Sequence, residues 1–246
     1  MDTAIDIAHA GFRFSGDQLY AADKIDGGAG TDTALPNSDH TGVKAVMMNA
    51  TTMINVEKLT LAAGHRYPLA TNNATVATGQ TLTVDDSALG AGNALTVYGA
   101  AETNRHFVIM GGLGADKLTG GVLSDTVTYS SAAQSTSKHY DTISGFNFSS
   151  DIFDTPGAVG TITGINAAVI SGILSTASFD TNLTSAISSS HLSAHHAVLF
   201  TPNSGALKDQ TFQVVDLNGT AGCQPSQALA IRMIGAPGTL AAGGFR

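Results

Sequence analysis

Residues Met110 to Ser131 read MGGLGADKLTGGVLSDTVTYSS and carry one pattern twice, nine residues apart. The first copy, Gly111–Thr119, is Gly-Gly-Leu-Gly-Ala-Asp-Lys-Leu-Thr. The second, Gly120–Thr128, keeps the paired glycines, the aspartate (Asp125 matching Asp116) and an apolar eighth residue (Val127 matching Leu118). Leu123 stands where the first copy has Gly114. A third, isolated unit runs from Gly27 to Leu35, with Asp32 at the sixth place and only Ala34 at the eighth. Such a unit implies a six-residue turn, whose glycines are expected to take positive φ, followed by a three-residue strand with its apolar side chain inward. Stacked on one another, the turns bring backbone carbonyls and the aspartate carboxylate face to face. Hard oxygen donors of that kind suit Ca²⁺.

The rest of the chain fits a β-rich reading. Of 246 residues only 12% are charged, about half the share usual in a soluble domain, while 43% are hydrophobic and 6% aromatic. With 28 glycines and abundant Ser and Thr, the profile suits many tight turns between short strands. Between Val43 and Val97 the pieces VKAVMM, VEKLTLAA, QTLTVDD and NALTVYG alternate apolar and polar residues at roughly ten-residue spacing, separated by Gly, Asn and Asp. KLTL, TLTV and ALTV share a motif without a constant period. Residues 1 to about 40 read as loop. The run VKAVMM reads as core, with an exposed interaction patch as the other reading. After Asp151 the pattern changes. Ile165, Val169 and Ile170 fit one helical face, Phe179, Leu183 and Ile187 lie four apart, and Asp180 is placed to cap the second helix. AVLFT, TFQVVDL and ALAIRMIG then read as three terminal strands. The expected fold is mainly β, a parallel β-roll or β-solenoid over residues 1–155 with a smaller α+β C-terminal cap over 156–246.

The glycine-aspartate units resemble the hemolysin-type calcium-binding repeats of the RTX family, whose members leave bacteria by type I secretion. The nonapeptides cover 27 residues, and looser likenesses extend the resemblance. LTVDDSALGAGNALTVYGAAETN resembles flanking coils of such modules, and YDTISGFNFSSDIFD the segment that closes many β-rolls. QTFQVVDLNGTAG with ALAIRMIGA resembles the last strand pair of serralysin-type C-terminal modules. What the resemblance implies is calcium-dependent folding outside the cell. It also implies ligands: the carbonyls of Gly111, Leu113, Gly120 and Val122 with the carboxylates of Asp116 and Asp125, and Gly27, Ala29 and Asp32 in the N-terminal unit. In such rolls an ion lies between repeats two units apart, so Gly111 and Gly120 belong to opposite edges and each needs a further partner. Glu102 and Asn104 upstream, and Asp141 or Asp151 downstream, are the candidates. Leu123, Ala34, the absence of an acid before SQALAIRMIG, and the neutral Asn104 and Ser144 depart from the pattern and argue for few, weak ions.

Other function classes find less support. A net charge of −8, from 19 acids and 11 bases, offers no basic stripe for nucleic acid. No stretch approaches the roughly 20 apolar residues of a transmembrane segment, and MDTAIDIAHAGFRF lacks the pattern of a cleavable signal. The single cysteine, Cys223, excludes an internal disulfide framework and has no activating base beside it in sequence. His191, His195 and His196 have a spacing that zinc can use, but H-E-x-x-H is absent and satisfied or surface histidines are the preferred reading. Asp216-Leu217-Asn218-Gly219 begins like an EF-hand loop but lacks Glu at the twelfth place, so a β-turn is preferred. Asp85 and Asp86 end a strand on alternate faces and make a poor acid–base pair. The sequence therefore points to a non-catalytic, secreted or cell-surface calcium-binding structural module, able to assemble with copies of itself. The alternatives are the C-terminal targeting domain of a larger secreted enzyme, or a surface-adhesion module, the latter disfavoured by the absence of Trp.

Overall fold

The computed structural model describes residues 3–4, 11–15, 19–40, 46–75 and 77–246. It is mainly β, and its strands build a parallel β-solenoid of about five turns. The chain divides into two compact units, 1–127 and 128–246. The split lies earlier than the change of sequence character near residue 155.

The first unit is the solenoid. Its strands are β1 (Thr3–Ala4), β2 (Gly11–Ser15), β3 (Lys24–Asp26), β4 (Thr33–Asn37), β5 (Val46–Met47), β6 (Met53–Ile54) and β7 (Lys58–Thr60). They continue with β8 (Tyr67–Ala70), β9 (Thr81–Asp85), β10 (Leu95–Tyr98), β11 (His106–Met110), β12 (Lys117–Thr119) and β13 (Thr126–Thr128). One parallel sheet runs β13-β11-β9-β7-β4-β2, a second β12-β10-β8-β5, and a small third, β1-β3-β6, lines only the N-terminal coils. Part of the run VKAVMM and of the N-terminal stretch MDTAIDIAHAGFRF lies outside the described residues.

The strands form because each alternates one inward aliphatic residue with an outward, often β-branched one. Parallel register then stacks the inward residues into columns. Ala34, Leu59, Val84 and Ile109 make one, and Val46, Leu69, Val97 and Leu118 the other. All eight are buried, and each large aliphatic contributes roughly 1.5–3 kcal/mol by leaving water. The recurrent Leu-Thr pair is this alternation made visible: Leu59, Leu82, Leu95 and Leu118 point in, and the threonines after them are half-buried on the outer side. Its period is irregular because loop length varies. Coils measured from Val46 to Leu69, Leu69 to Val97 and Val97 to Leu118 differ, while the stacking does not. The stretch before residue 40, expected as loop, contributes strands β3 and β4. In VKAVMM, Val46 and Met48 are core and Met47 is exposed.

The second unit contains β14 (Thr142–Ser144), β15 (Ile152–Asp154), β16 (Gly164–Ile165), β17 (His196–Phe200), β18 (Thr211–Asp216), β19 (Ala228–Ile234) and one helix, α1 (Phe179–Ala186). The order β16-β17-β18-β19-β14 is mixed: β17-β18-β19 are antiparallel and the outer pairs parallel. The three terminal strands stand where the sequence places them. Phe179, Leu183 and Ile187 bury one stripe of α1 against Phe200, Phe212 and Val214, and Tyr140 stacks on Phe179 at 5.2 Å. Ser178 rather than Asp180 is the N-cap, with Asp180 in the first turn where its charge suits the helix dipole. Ile165, Val169 and Ile170 form no helix. Gly164 and Gly172 interrupt the run, and its β-branched residues lie along β17 instead, through β16 and the bridge Val169↔Phe200. Among the described residues no helix is long and apolar enough to cross a membrane.

Candidate functional site

All three glycine-aspartate units fold alike. Each bends at its third and fourth residues and enters a strand at its seventh. The eighth residues, Ala34, Leu118 and Val127, are buried, and so are the sixth, Asp32, Asp116 and Asp125. The expectation of positive φ holds for Gly28 (76°) and Gly30 (126°) but for none of the central glycines. There glycine is required by close approach. A Cβ on Gly114 would lie 1.8 Å from the Asn93 carbonyl oxygen of the preceding coil, and one on Gly120 would lie 2.1 Å from Asp125 Oδ2. Leu123, half-buried, occupies the place matching Gly114 in the second copy.

The aspartates reach between coils. Asp116 accepts the N–H of Gly112 in its own turn (3.1 Å) and of Leu95 at the start of β10 (2.9 Å). Asp125 repeats the geometry, accepting from Gly121 (2.7 Å) and from Phe107 in β11 (2.8 Å). Each is a charge-assisted clamp of about 1.5–3 kcal/mol per bond. The N-terminal unit has a related clamp, with Glu57 Oε2 accepting the Asp32 N–H at 2.8 Å. Gly27 is buried under the Asn55 carbonyl, and Ala29 is exposed.

The two edges of the solenoid differ in charge. At the edge leading into β11 and β13, Glu102 and Arg105 form a buried ion pair. The Glu102 carbonyl accepts the Val122 N–H at 3.0 Å, so Glu102 does adjoin the Gly120 turn. Its carboxylate, however, faces a built-in guanidinium. Asn104 turns the other way, donating to Thr78 Oγ1.

At the opposite edge, leading into β10 and β12, no buried ion pair is placed among the described residues; the Arg66 guanidinium there is exposed and donates to the Gly92 carbonyl (3.3 Å). Asp86 is fully buried, and among the described residues neither carboxylate oxygen has a well-formed hydrogen bond, although the nearby Gly112 N–H partly favours its ionised form. It converges with Asp116 on Gly112, whose N–H is given to Asp116, while the Asp86 carbonyl lies 2.9 Å from where a Gly112 Cβ would be. Burial, and then the Asp116 charge, push the Asp86 carboxyl up to about 9. Burial pushes Asp116 up to about 6, against the two N–H groups that favour its ionised form. Tyr67 lies on the same edge, its hydroxyl between the Pro36 and Ala62 carbonyls, and burial raises it to about 12.

The sequence offers Glu102 and Asn104 upstream, and Asp141 or Asp151 downstream, as partners for the Gly111 and Gly120 turns; Asp86, which stands beside Asp116, is not among them. The signal was readable: Asp86 directly follows β9 and keeps the parity of Leu82 and Val84, so it is buried with them. Asp85 points out, to Lys58 Nζ at 3.1 Å and Ser87 Oγ at 2.6 Å. The downstream candidates belong to the second unit. There Asp141 accepts the Tyr129 hydroxyl (2.8 Å) and Asp151 the Asn147 N–H (2.7 Å). Leu113 and Val122 carry exposed side chains at their turn tips.

Among the described residues no three His, Cys, Asp or Glu side chains are grouped to hold a metal. His191 and His195 lie in turns rather than on a helix. Asp216 forms a β-turn, accepting the N–H groups of Asn218 and Gly219. Cys223 is buried, and that burial raises its thiol to about 12. No known family model matches the chain, and no curated protein matches it.

Proposed function

We propose that the chain is a secreted, non-catalytic structural module whose solenoid is stabilised by calcium bound between coils at the Asp86–Asp116 edge. One observation carries the reading: Asp86 is wholly buried beside a second carboxylate and, among the described residues, has no cation and no well-formed hydrogen bond, the nearby Gly112 N–H being donated to Asp116. Burying such a group uncompensated is costly. A divalent cation would remove that cost, and two carboxylates with water completing the shell are a hard-oxygen set of the kind Ca²⁺ accepts. The other edge supports the same logic, since Arg105 there supplies the positive charge from within the chain.

Two protein carboxylates make a weak site, in the range of about 10⁻⁴–10⁻³ M typical of extracellular modules. Such a site fills outside the cell and stays empty in a calcium-poor cytosol, coupling folding to export. The resemblance to RTX repeats gives type I secretion as the export route and calcium as the ion. A structural role accords with a buried, unactivated Cys223 and with aspartates spent on clamping backbone.

Thermal unfolding in EGTA and across a calcium titration tests the proposal. The midpoint is expected to rise with calcium, and much less with magnesium, which sheds its water reluctantly. Asp86→Asn should abolish most of the rise, whereas Asp125→Asn should lower the baseline midpoint and keep the rise. An unshifted midpoint in the wild type, or a full shift in Asp86→Asn, would overturn it.

A further inference from the structure

We propose that the outer edge of β16 and the segment that continues it is where a second copy of this chain docks, strand against strand, to form a two-fold dimer. Among the described residues β16 ends its sheet and pairs only with β17. Two isolated bridges, Val169↔Phe200 at the end of β17 and Ile173↔Ser204 beyond it, keep the following residues beside the same chain, so an interrupted edge of ten residues, 164–173, borders the sheet. Proteins commonly protect such edges with charge. Here residues 155–179 contain no Asp, Glu, Lys, Arg or His, the longest stretch of the chain without one. Large apolar side chains stand on it instead: Val159 is 62% exposed, Ile170 75% and Ile173 55%.

The occupant follows from charge and from shape. Two copies of a chain carrying −8 repel each other over most of their surfaces. The stretch 155–179 is where they meet without opposing charges, and it offers nothing acidic to a basic partner. A two-fold interface must also be complementary to itself. Beside Ile173 lies a hollow of about 270 Å³ bounded by Gly172, Asn182, Ser185 and Ala186. Knob and hollow thus belong to one short segment, three residues apart, which lets Ile170 of each copy enter the hollow of the other while the edges pair antiparallel.

Sedimentation and light scattering of the full chain, over a range of concentration and salt, test this. The wild type should form dimers that tighten as salt screens the acidic flanks. Ile170→Lys combined with Ile173→Lys should weaken dimerisation at least about tenfold with unchanged circular dichroism, because both side chains are exposed. Ile170→Ala with Ile173→Ala, which adds no charge, should weaken it in the same direction. A wild type monomeric at every salt concentration, association that loosens with salt, or lysine and alanine variants that dimerise as the wild type does would each overturn the proposal.

Discussion

Asp85 and Asp86 are neighbours in sequence whose environments oppose each other. Hydrogen bonds from Ser87 and Lys58 outweigh partial burial and hold Asp85 below its ordinary value, whereas burial beside Asp116 lifts Asp86 from 3.8 to about 9. The sign of the pH dependence follows. Between those two values the folded, metal-free protein retains a proton that the unfolded chain releases. The stability contributed by this group is full below the unfolded value, falls as pH rises, and is lost once the folded value is passed. Asp116, raised to about 6, acts in the same sense over a narrower window. In chelator, the denaturation midpoint should therefore fall steadily from mildly acid to mildly alkaline pH. Asp86→Asn should flatten that slope and raise metal-free stability at neutral pH by about 1 kcal/mol, since an amide is neutral at every pH and takes up no proton on folding. Urea titrations at several pH values in EGTA give both readings.

At the scale of the element, the turn glycines divide by what their missing Cβ would strike. Gly114→Ala should cost about 3 kcal/mol, because a carbonyl of the neighbouring coil lies where the methyl must go. Gly90→Ala, with open space around it, should be neutral or gain up to about 1 kcal/mol. Chemical denaturation of the two variants gives the comparison. These elements also show what the sequence discloses. Strands were legible wherever Leu-Thr alternation repeats, since period two survives any loop length. The nonapeptide turns were legible from glycine spacing, although the reason for Gly112, Gly114 and Gly121 was not: it lies in a coil about twenty residues away, whereas Gly120 meets Asp125 of its own turn. The edge containing Asp86 was half legible, its inward parity written in β9 and its partner supplied only by stacking. The stretch from Ile165 to Ile170 misled because apolar spacing of four and five also suits an extended edge whose exposed side is apolar. Glu102 and Arg105 show as a short-range pair in sequence, but only burial makes Arg105 a substitute cation.

At the scale of the whole molecule, calcium should act unevenly. Hydrogen exchange should slow at the Leu95 and Gly112 amides on adding calcium, and remain unchanged in β17–β19, where no such carboxylate pair is placed among the described residues. The clamps have a further property, which is direction. Glu57 holds the Asp32 amide, Asp116 the Leu95 amide and Asp125 the Phe107 amide. In every case the later coil supplies the carboxylate and the earlier coil the N–H. Loss of a later coil merely returns an amide to water. Loss of an earlier one strands a buried anion without its donor, which is the more costly failure. The solenoid therefore behaves as a one-way ratchet, in which order gained upstream licenses the next coil and damage travels only forward. Val97→Ala, a cavity in β10, should accelerate amide exchange in β12 more than in β8, although both strands are its direct neighbours.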